Sequence, residues 1–416
     1  MASVDVGGNV TEHHDRLKLY INAFVRALAI GLIGVLLGLY LAQRGFPASA
    51  LGLVIGAGLS GAALAALIVT YLGDRLGRRR TLVALSLLSA AGGIGLIFSG
   101  NILAACAVAF FGMVNGMGRD RGASLVLDHA ILPAMTTATE RTRVFAWYNV
   151  LQDVGHALGA VAAGLPVLLG MAFQVPETTG YNSALWLYTL LMLFTAIVNL
   201  SLSPAVEMNG GAPAPALANV APESRRMVRR ISGLFLIDSL AGGFLGTALL
   251  SYFFFERFDA GAGAIATLFF FARAANAVSH FGAAWLAARI GLINTMVFTH
   301  IPSSLMLVAV ALVPEFWMAA ALFIVRELLV EMDVPTRQSY VMAVVRPEER
   351  TWASGVTTLV RMGGWAVAPF AAGFLMQGVA LATPLLIGAG MKIGYDLLLW
   401  KSFRELPPPE ERDTAG

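Results

Sequence analysis

The sequence predicts an all-α membrane protein, with twelve transmembrane helices in two pseudo-symmetric six-helix halves. Three observations carry this reading. Hydrophobic residues make up 57% of the 416-residue chain and charged residues only 13%, whereas a soluble domain needs about a quarter charged residues to cover its surface. Apolar stretches of bilayer length, roughly 20 residues each, recur along the whole chain. A polar, proline-rich interruption at 204–230 divides them into two sets of six.

In order, the first six spans read as 17–42, 48–72, 81–99, 102–134, 144–170 and 183–203. Residues 1–16 ahead of them are polar, hold His13, His14 and Asp15, and lack the pattern of a cleavable leader, so the first span serves as the insertion signal. Spans two and three are joined by Gly73-Asp74-Arg75-Leu76-Gly77-Arg78-Arg79-Arg80, a compact charged turn that must sit in water at the membrane surface. Pro204, Pro213, Pro215 and Pro222, with Arg225, Arg226, Arg229 and Arg230 after them, read as a flexible linker. The second set is 231–255, 262–288, 293–313, 316–345, 352–376 and 382–400, of which span ten, like span four, carries many charges. The predicted organisation is an N-terminal half at 1–203, a cytoplasmic linker at 204–230, a C-terminal half at 231–403 and a cytoplasmic tail at 404–416.

Basic residues fix the orientation. Arg16, Lys18, the four arginines of the turn, Arg141, Arg143, the linker arginines, Arg289, Arg346, Arg350 and Lys401 fall on one side, and only Arg44 and Arg257 on the other. That asymmetry places both termini and the linker in the cytoplasm. It also explains the net charge of +3 without invoking nucleic acid. The single cysteine, Cys106, excludes an internal disulfide and cysteine-based metal clusters. No nucleotide-binding loop of the G-x-x-x-x-G-K-[ST] type occurs, which argues against ATP-driven pumping.

The halves read as repeats. Glu140-Arg141 and Glu349-Arg350 open spans five and eleven, 209 positions apart, and Gly155 meets Gly364 and Gly164 meets Gly373 at the same offset. Arg75-Leu76-Gly77 meets Arg289-Ile290-Gly291 at offset 214, with Thr81 on Thr295.

Charges inside the spans are the candidate functional residues. The cations are Arg26, Arg119, Arg121, Arg273, Arg326, Arg337, Arg361 and Lys392; the acids are Asp120, Asp128, Asp153, Asp238, Glu327, Glu331, Asp333 and Asp396. Each costs a few kcal/mol if it faces lipid alone, so they surround a wet interior or pair between helices; spacing does not decide between a substrate and proton path and structural ion pairs. Glu327 and Glu331 share a helix face, and two close carboxylates in low dielectric cannot both be charged cheaply. This suits proton carriage, unless Arg326 neutralises them. Asp120 and Asp238 are further carrier candidates. Lys392 and Asp396 are one turn apart near the inner end of span twelve and read as a local pair or as snorkelling to the surface. Asp153 and His156 read as a polar pair, since no third metal ligand accompanies them. Asp128 and Arg337, related by offset 209, read as an inner gate between spans four and ten, with Arg121 and Asp333 as competing partners; Arg26 and Asp238, at offset 212, match in the same way.

The charged turn resembles the loop between helices two and three of the major facilitator superfamily, whose signature reads roughly G-x-x-x-D-R-x-G-R-R. Asp74, Arg75, Gly77, Arg78 and Arg79 match it, and Thr70 stands at the leading glycine. The resemblance extends over essentially the whole chain. It implies alternating access about a site between the halves near the midplane. It also implies a gating role for Gly73, Asp74, Arg75, Gly77, Arg78 and Arg79. Asn115-Gly116-Met117-Gly118 stands where relatives have Q-G-x-G, Gly112 where many exporters carry arginine, and Ala134 where relatives place an acid. Ala160 replaces the proline of an antiporter-type G-x-x-x-G-P in span five, whereas span eleven keeps Pro369.

The resulting expectation is a monomeric secondary active transporter of a small polar or anionic solute, performing proton-coupled export across a bacterial inner (plasma) membrane. The path residues are Arg26, Arg119, Asp120, Arg121, Asp153, Asp238, Arg273, Glu327, Glu331, Asp333 and Arg361. Its partners are the solute, protons and the bilayer; no cofactor, metal or nucleic acid is expected. The alternative is an organic-anion symporter working in uptake. An intramembrane enzyme built on Asp128/His129 or Asp153/His156 lacks a nucleophile constellation, and a non-translocating sensor need not preserve the gating turn; both rank below.

Overall fold

The computed structural model describes residues 6–136, 141–207, 221–332, 346 and 349–403. Among these, the regular elements are all helical. In the first half they are α1 (Val6–Gln43), α2 (Ala48–Leu76), α3 (Arg78–Phe98), α4 (Ile102–Gly112), α5 (Ala123–Ile131), α6 (Arg141–Ala162), α7 (Leu165–Phe173) and α8 (Glu177–Leu200). In the second they are α9 (Pro222–Phe244), α10 (Thr247–Phe258), α11 (Ala262–Ile290), α12 (Leu292–Leu312), α13 (Phe316–Val330), α14 (Arg350–Gly378) and α15 (Thr383–Phe403).

Among the described residues, eight helical segments are long and apolar enough to cross a membrane, and α6 with α7 makes a ninth bent by 40°. The other three expected positions are held by α4 with α5, by α13 and by α15, which are short or carry charges. Helices are the obligatory solution here, because lipid offers no partner to a bare N–H or C=O. Hydroxyls follow the same rule by bonding back one turn, as Thr70 does to the Ala66 carbonyl at 2.7 Å and Ser86 to Leu82 at 2.9 Å.

Three spans expected to be continuous are broken. Span five bends at Ala163–Gly164, where Pro166 enters the second position of α7 and has no N–H to give. Span seven breaks at Leu245–Gly246, after a glycine pair at 242–243 that favours the helix poorly. Span four unwinds over residues 113–122, with Met113 in the left-handed region at φ 52°. The linker is also shorter than expected: residues 222–230 are the opening turns of α9, with Pro222 at its first position.

The repeat is real in three dimensions. Gly77 and Gly291 both sit at positive φ, 88° and 83°, which a side chain would strain. Each accepts two hydrogen bonds on its carbonyl from a threonine four residues on. Thr81 donates its N–H at 3.0 Å and its hydroxyl at 2.8 Å, and Thr295 donates its own at 3.1 and 2.8 Å. Gly155 lies against the backbone of Leu28, and Gly364 lies in the same way against Leu240.

The core is divided unevenly. At the end of the bundle away from the termini, one continuous hydrophobic cluster draws on both halves, from Leu32, Val54 and Leu185 to Phe254, Phe323 and Leu385. At the termini end there are two clusters. One holds first-half residues such as Leu19, Leu82 and Leu132, joined from the second half by Met362 and Trp365. The other holds second-half residues alone, among them Ile231, Ile293 and Leu399. The far end is sutured by backbone: a Cβ on Gly52 would lie 2.3 Å from the Pro369 carbonyl oxygen, and one on Gly38 would lie 2.2 Å from that of Ala248.

Candidate functional site

The unwound stretch of span four and the break in span seven meet. The Ala248 N–H donates to the Gly116 carbonyl at 2.9 Å, and the Thr247 hydroxyl to the Met117 carbonyl at 2.8 Å. Asn115 closes the loop on itself, accepting from the Met117 N–H at 2.8 Å and donating to the Arg119 carbonyl at 2.5 Å. His156 Nε2 accepts the Asp120 N–H at 3.0 Å. Backbone at membrane depth may leave the helix only where such partners satisfy it or where it lines a cavity. Interrupted segments of this kind mark binding sites in transporters.

A cavity of about 110 Å³ opens beside these breaks. Met117, Arg119 and Arg121 are its lining from the first half; the rest comes from α9 to α15, including Asp238, Arg273, His300, Arg326, Glu327, Glu331, Arg361 and Lys392. Its ion pairs are specific. Arg119 reaches across the halves to Glu331 at 2.8 Å. Arg326 pairs with its neighbour Glu327, which also accepts from Asn276 at 2.8 Å. Asp238 lies 2.9 Å from Lys392 and 3.7 Å from Arg361. Arg121 and Arg361 both stack on Trp365, 3.5 and 4.6 Å from the ring centre. Arg273 bonds only the neutral Thr247 hydroxyl, at 3.1 Å, and among the described residues no carboxylate lies within ion-pair distance of it. The lining thus presents Arg119, Arg121, Arg273, Arg326, Arg361 and Lys392 against Asp238, Glu327 and Glu331. Glu327, Glu331 and the half-buried Asp153 of α6 act electrostatically on both Arg119 and Arg273.

A second cluster lies wholly in the first half. Arg26 donates to Asp120 at 2.5 Å, to Asp128 at 2.6 Å and to the Tyr148 hydroxyl at 3.1 Å, and Tyr148 in turn donates to Asp128 at 2.7 Å. Arg26, Asp120 and Asp128 are all buried.

Several expected pairings are redrawn. Lys392 and Asp396 do not bond each other; Lys392 turns to Asp238, and Asp396 to His300 Nδ1 at 3.1 Å. Asp153 and His156 do not bond either, because the imidazole is taken by the Asp120 N–H. Asp128 engages Arg26 rather than Arg121, and Arg26 and Asp238 each pair inside their own half. Asp333 and Arg337 lie outside the described residues, as does the side chain of Asp74. Of the gating turn, Gly73 and Arg78 are buried, Arg75 is exposed, and Arg78 and Arg79 give their backbone N–H groups to Glu207 at 2.6 and 3.1 Å. Glu207 therefore caps α3 from across the half, in favourable alignment with the helix dipole. Glu207, Tyr148, His156, Thr247 and His300 were not singled out from sequence for the roles they play here. A histidine inside an apolar span is a readable signal, whereas the other three depend on which helices meet.

The Major Facilitator Superfamily matches residues 19–369 of this chain, and the chain belongs to that family. It is an integral membrane protein of the transporter class with the all-α fold of that superfamily. An uncharacterized membrane protein of Saccharomyces cerevisiae, YJR124C, is 24% identical over 415 residues, with 92% of each chain covered. Among solved structures, the nucleoside transporter NupG superimposes with a TM-score of 0.71 at 14% identity, covering 94% of this chain and 99% of that one. The human organic anion transporter MFSD10 gives 0.63 at 16% identity, covering 93% and 99%.

Proposed function

We propose that this protein is an alternating-access carrier of a small organic anion, moved together with protons. The observation that carries the reading is Arg273, a cation at the cavity wall that among the described residues bonds a hydroxyl and no carboxylate, in a lining whose permanent cations outnumber its carboxylates. Uncompensated charge in low dielectric is costly, and an anionic solute is the natural compensation. The stack of Arg121 and Arg361 on Trp365 adds planar donors that suit carboxylate or phosphate.

The same charge balance favours symport over the antiport expected first. An anion and a proton stabilise one another in a low-dielectric cavity, so they travel in the same direction. The joined core at one end and the divided core at the other support a state closed at the far end. With the basic residues placing the termini in the cytoplasm, this state faces inward. In that reading the turn 73–80, including Asp74, Arg75, Arg78 and Arg79, latches the halves when the termini end closes.

The test uses purified protein in vesicles holding a pH-sensitive dye. The panel is benzoate, succinate and glycerol 3-phosphate, with uridine and xylose as neutral comparators. Acidification inside that depends on an added anion is the expected result. Transport of only the neutral compounds, or proton movement opposite to the anion, would overturn the reading.

A further inference from the structure

The carboxylates first considered as proton carriers are all held by arginine or lysine. Asp120 lies on Arg26, Asp238 on Lys392 and Arg361, Glu327 on Arg326, and Glu331 on Arg119. A fixed cation beside a carboxylate already compensates its charge. Asp396 of α15 differs. It is fully buried, its Oδ1 lies 3.1 Å from His300 Nδ1 of α12, and its Oδ2 has no hydrogen-bond partner. Among the described residues of the second half, it is the buried span carboxylate whose ion partner is a histidine, the side chain that titrates nearest neutrality.

We propose that the His300–Asp396 pair is the proton-binding site of this carrier, an assignment that rests on the proton-coupled reading above. Without the proton, the pair holds one negative charge among Tyr395, Leu399 and the apolar cluster around them, where a net charge is expensive. With one proton shared between Asp396 Oδ1 and His300 Nδ1, the pair is neutral overall. No bond other than that to the proton forms or breaks. The proton enters from cavity water, because His300 lines the cavity while Asp396 does not.

The charged groups around the pair explain how a solute could sense it. Lys392 and Tyr395 face it from α15 itself and Asp238 from α9; across the cavity stand Arg361 on α14, Arg326 and Glu327 on α13, and Arg273 on α11. Lys392 is committed to Asp238. An anion arriving between Arg273 and Arg361 adds negative charge on the side of His300 that faces the cavity, and so tightens the hold on the proton. Proton and anion then load together.

Infrared difference spectra of the full-length purified protein, acid minus alkaline, read the site without any solute. The expected result is a protonated-carboxyl band in the wild type that is missing from Asp396→Asn, displaced in His300→Gln and retained in Asp396→Glu. Each variant is checked for folding by its thermal transition, and the glutamate variant keeps the test usable if the amide variant unfolds. An unchanged band in Asp396→Asn overturns the assignment. A band that depends on Asp396 while wild-type vesicles show no anion-dependent proton entry leaves the proton site standing and overturns the coupled reading.

Discussion

Position 26 of the first half and position 238 of the second, 212 residues apart in the repeat, each anchor a charge cluster, and the two clusters are inverted in sign. Arg26 is a cation between two carboxylates, Asp120 and Asp128; Asp238 is a carboxylate between two cations, Lys392 and Arg361. The first lies inside its own half: both carboxylates are buried and bonded to Arg26, with Asp120 also accepting from the Gly122 N–H and Asp128 from the Tyr148 hydroxyl. The second forms a wall of the cavity. Matching positions of the repeat thus join helices within one half and line the cavity in the other. Ion pairs of equal geometry differ in consequence according to whether water and ligand reach them.

Removing the shared cation should give the largest effect. Arg26→Met strands two buried carboxylates, and loss of one partner from such a pair costs about 3–5 kcal/mol. Thermal unfolding in detergent should show a folded yield and transition far below those of any cavity variant. Equal stability of Arg26→Met and Asp238→Asn would erase the distinction between the clusters. Arg273→Gln should do the converse, abolishing anion-dependent dye response while moving stability by no more than about 1 kcal/mol, since the residue leaves no carboxylate behind. Asp238→Asn sharpens the comparison further. It releases Lys392 and Arg361 toward the cavity, so benzoate binding measured by calorimetry should strengthen several-fold even as coupled transport falls.

Smaller effects follow at the two ends. Gly52→Ala places a methyl group against the Pro369 carbonyl. It should shift the carrier toward the state open at the far end, seen as faster labelling of a cysteine placed at Ser49 after Cys106 is replaced. At the termini end, Glu349 accepts the Ala221 N–H at 2.7 Å and a bond from the Ser224 hydroxyl, which hold its carboxyl below the usual glutamate range. A lowered value stabilises the fold above the ordinary carboxylate range and is lost as pH falls through the lowered value. The acid limb of stability against pH should therefore flatten slightly in Glu349→Gln. An unchanged limb would mean that this cap contributes nothing measurable.

How much of this was readable follows from what each property depends on. Span positions depend on apolar run length, and among the described residues helices stand at the expected places, three of them broken. The second charged turn, without its aspartate, was readable because Gly291 and Thr295 repeat Gly77 and Thr81. Which charge meets which was not readable, since spacing reports neighbours on one helix while helix rotation decides the contact. Lys392 and Asp396 have ideal one-turn spacing, yet each found a better partner on another helix, one on α9 and one on α12. The unwinding of span four was hidden for a related reason. Its backbone is satisfied by His156 and Thr247, which are distant in sequence.

The glycine suture at the far end bears on energy as well as geometry. Where Gly52 meets Gly373, a Cβ on Gly52 would lie 2.8 Å from the Gly373 Cα and one on Gly373 would lie 2.9 Å from the Gly52 Cα, and neither partner has a side chain to freeze. Most interfaces that close must give up rotamer freedom, about 0.5–1.5 kcal/mol for each long side chain they immobilise. A seam of bare backbone forfeits none of that on closing and regains none on opening. At the glycine contacts, closing the far end therefore costs little side-chain entropy, and that cost falls instead on the side chains of the cluster that joins the halves.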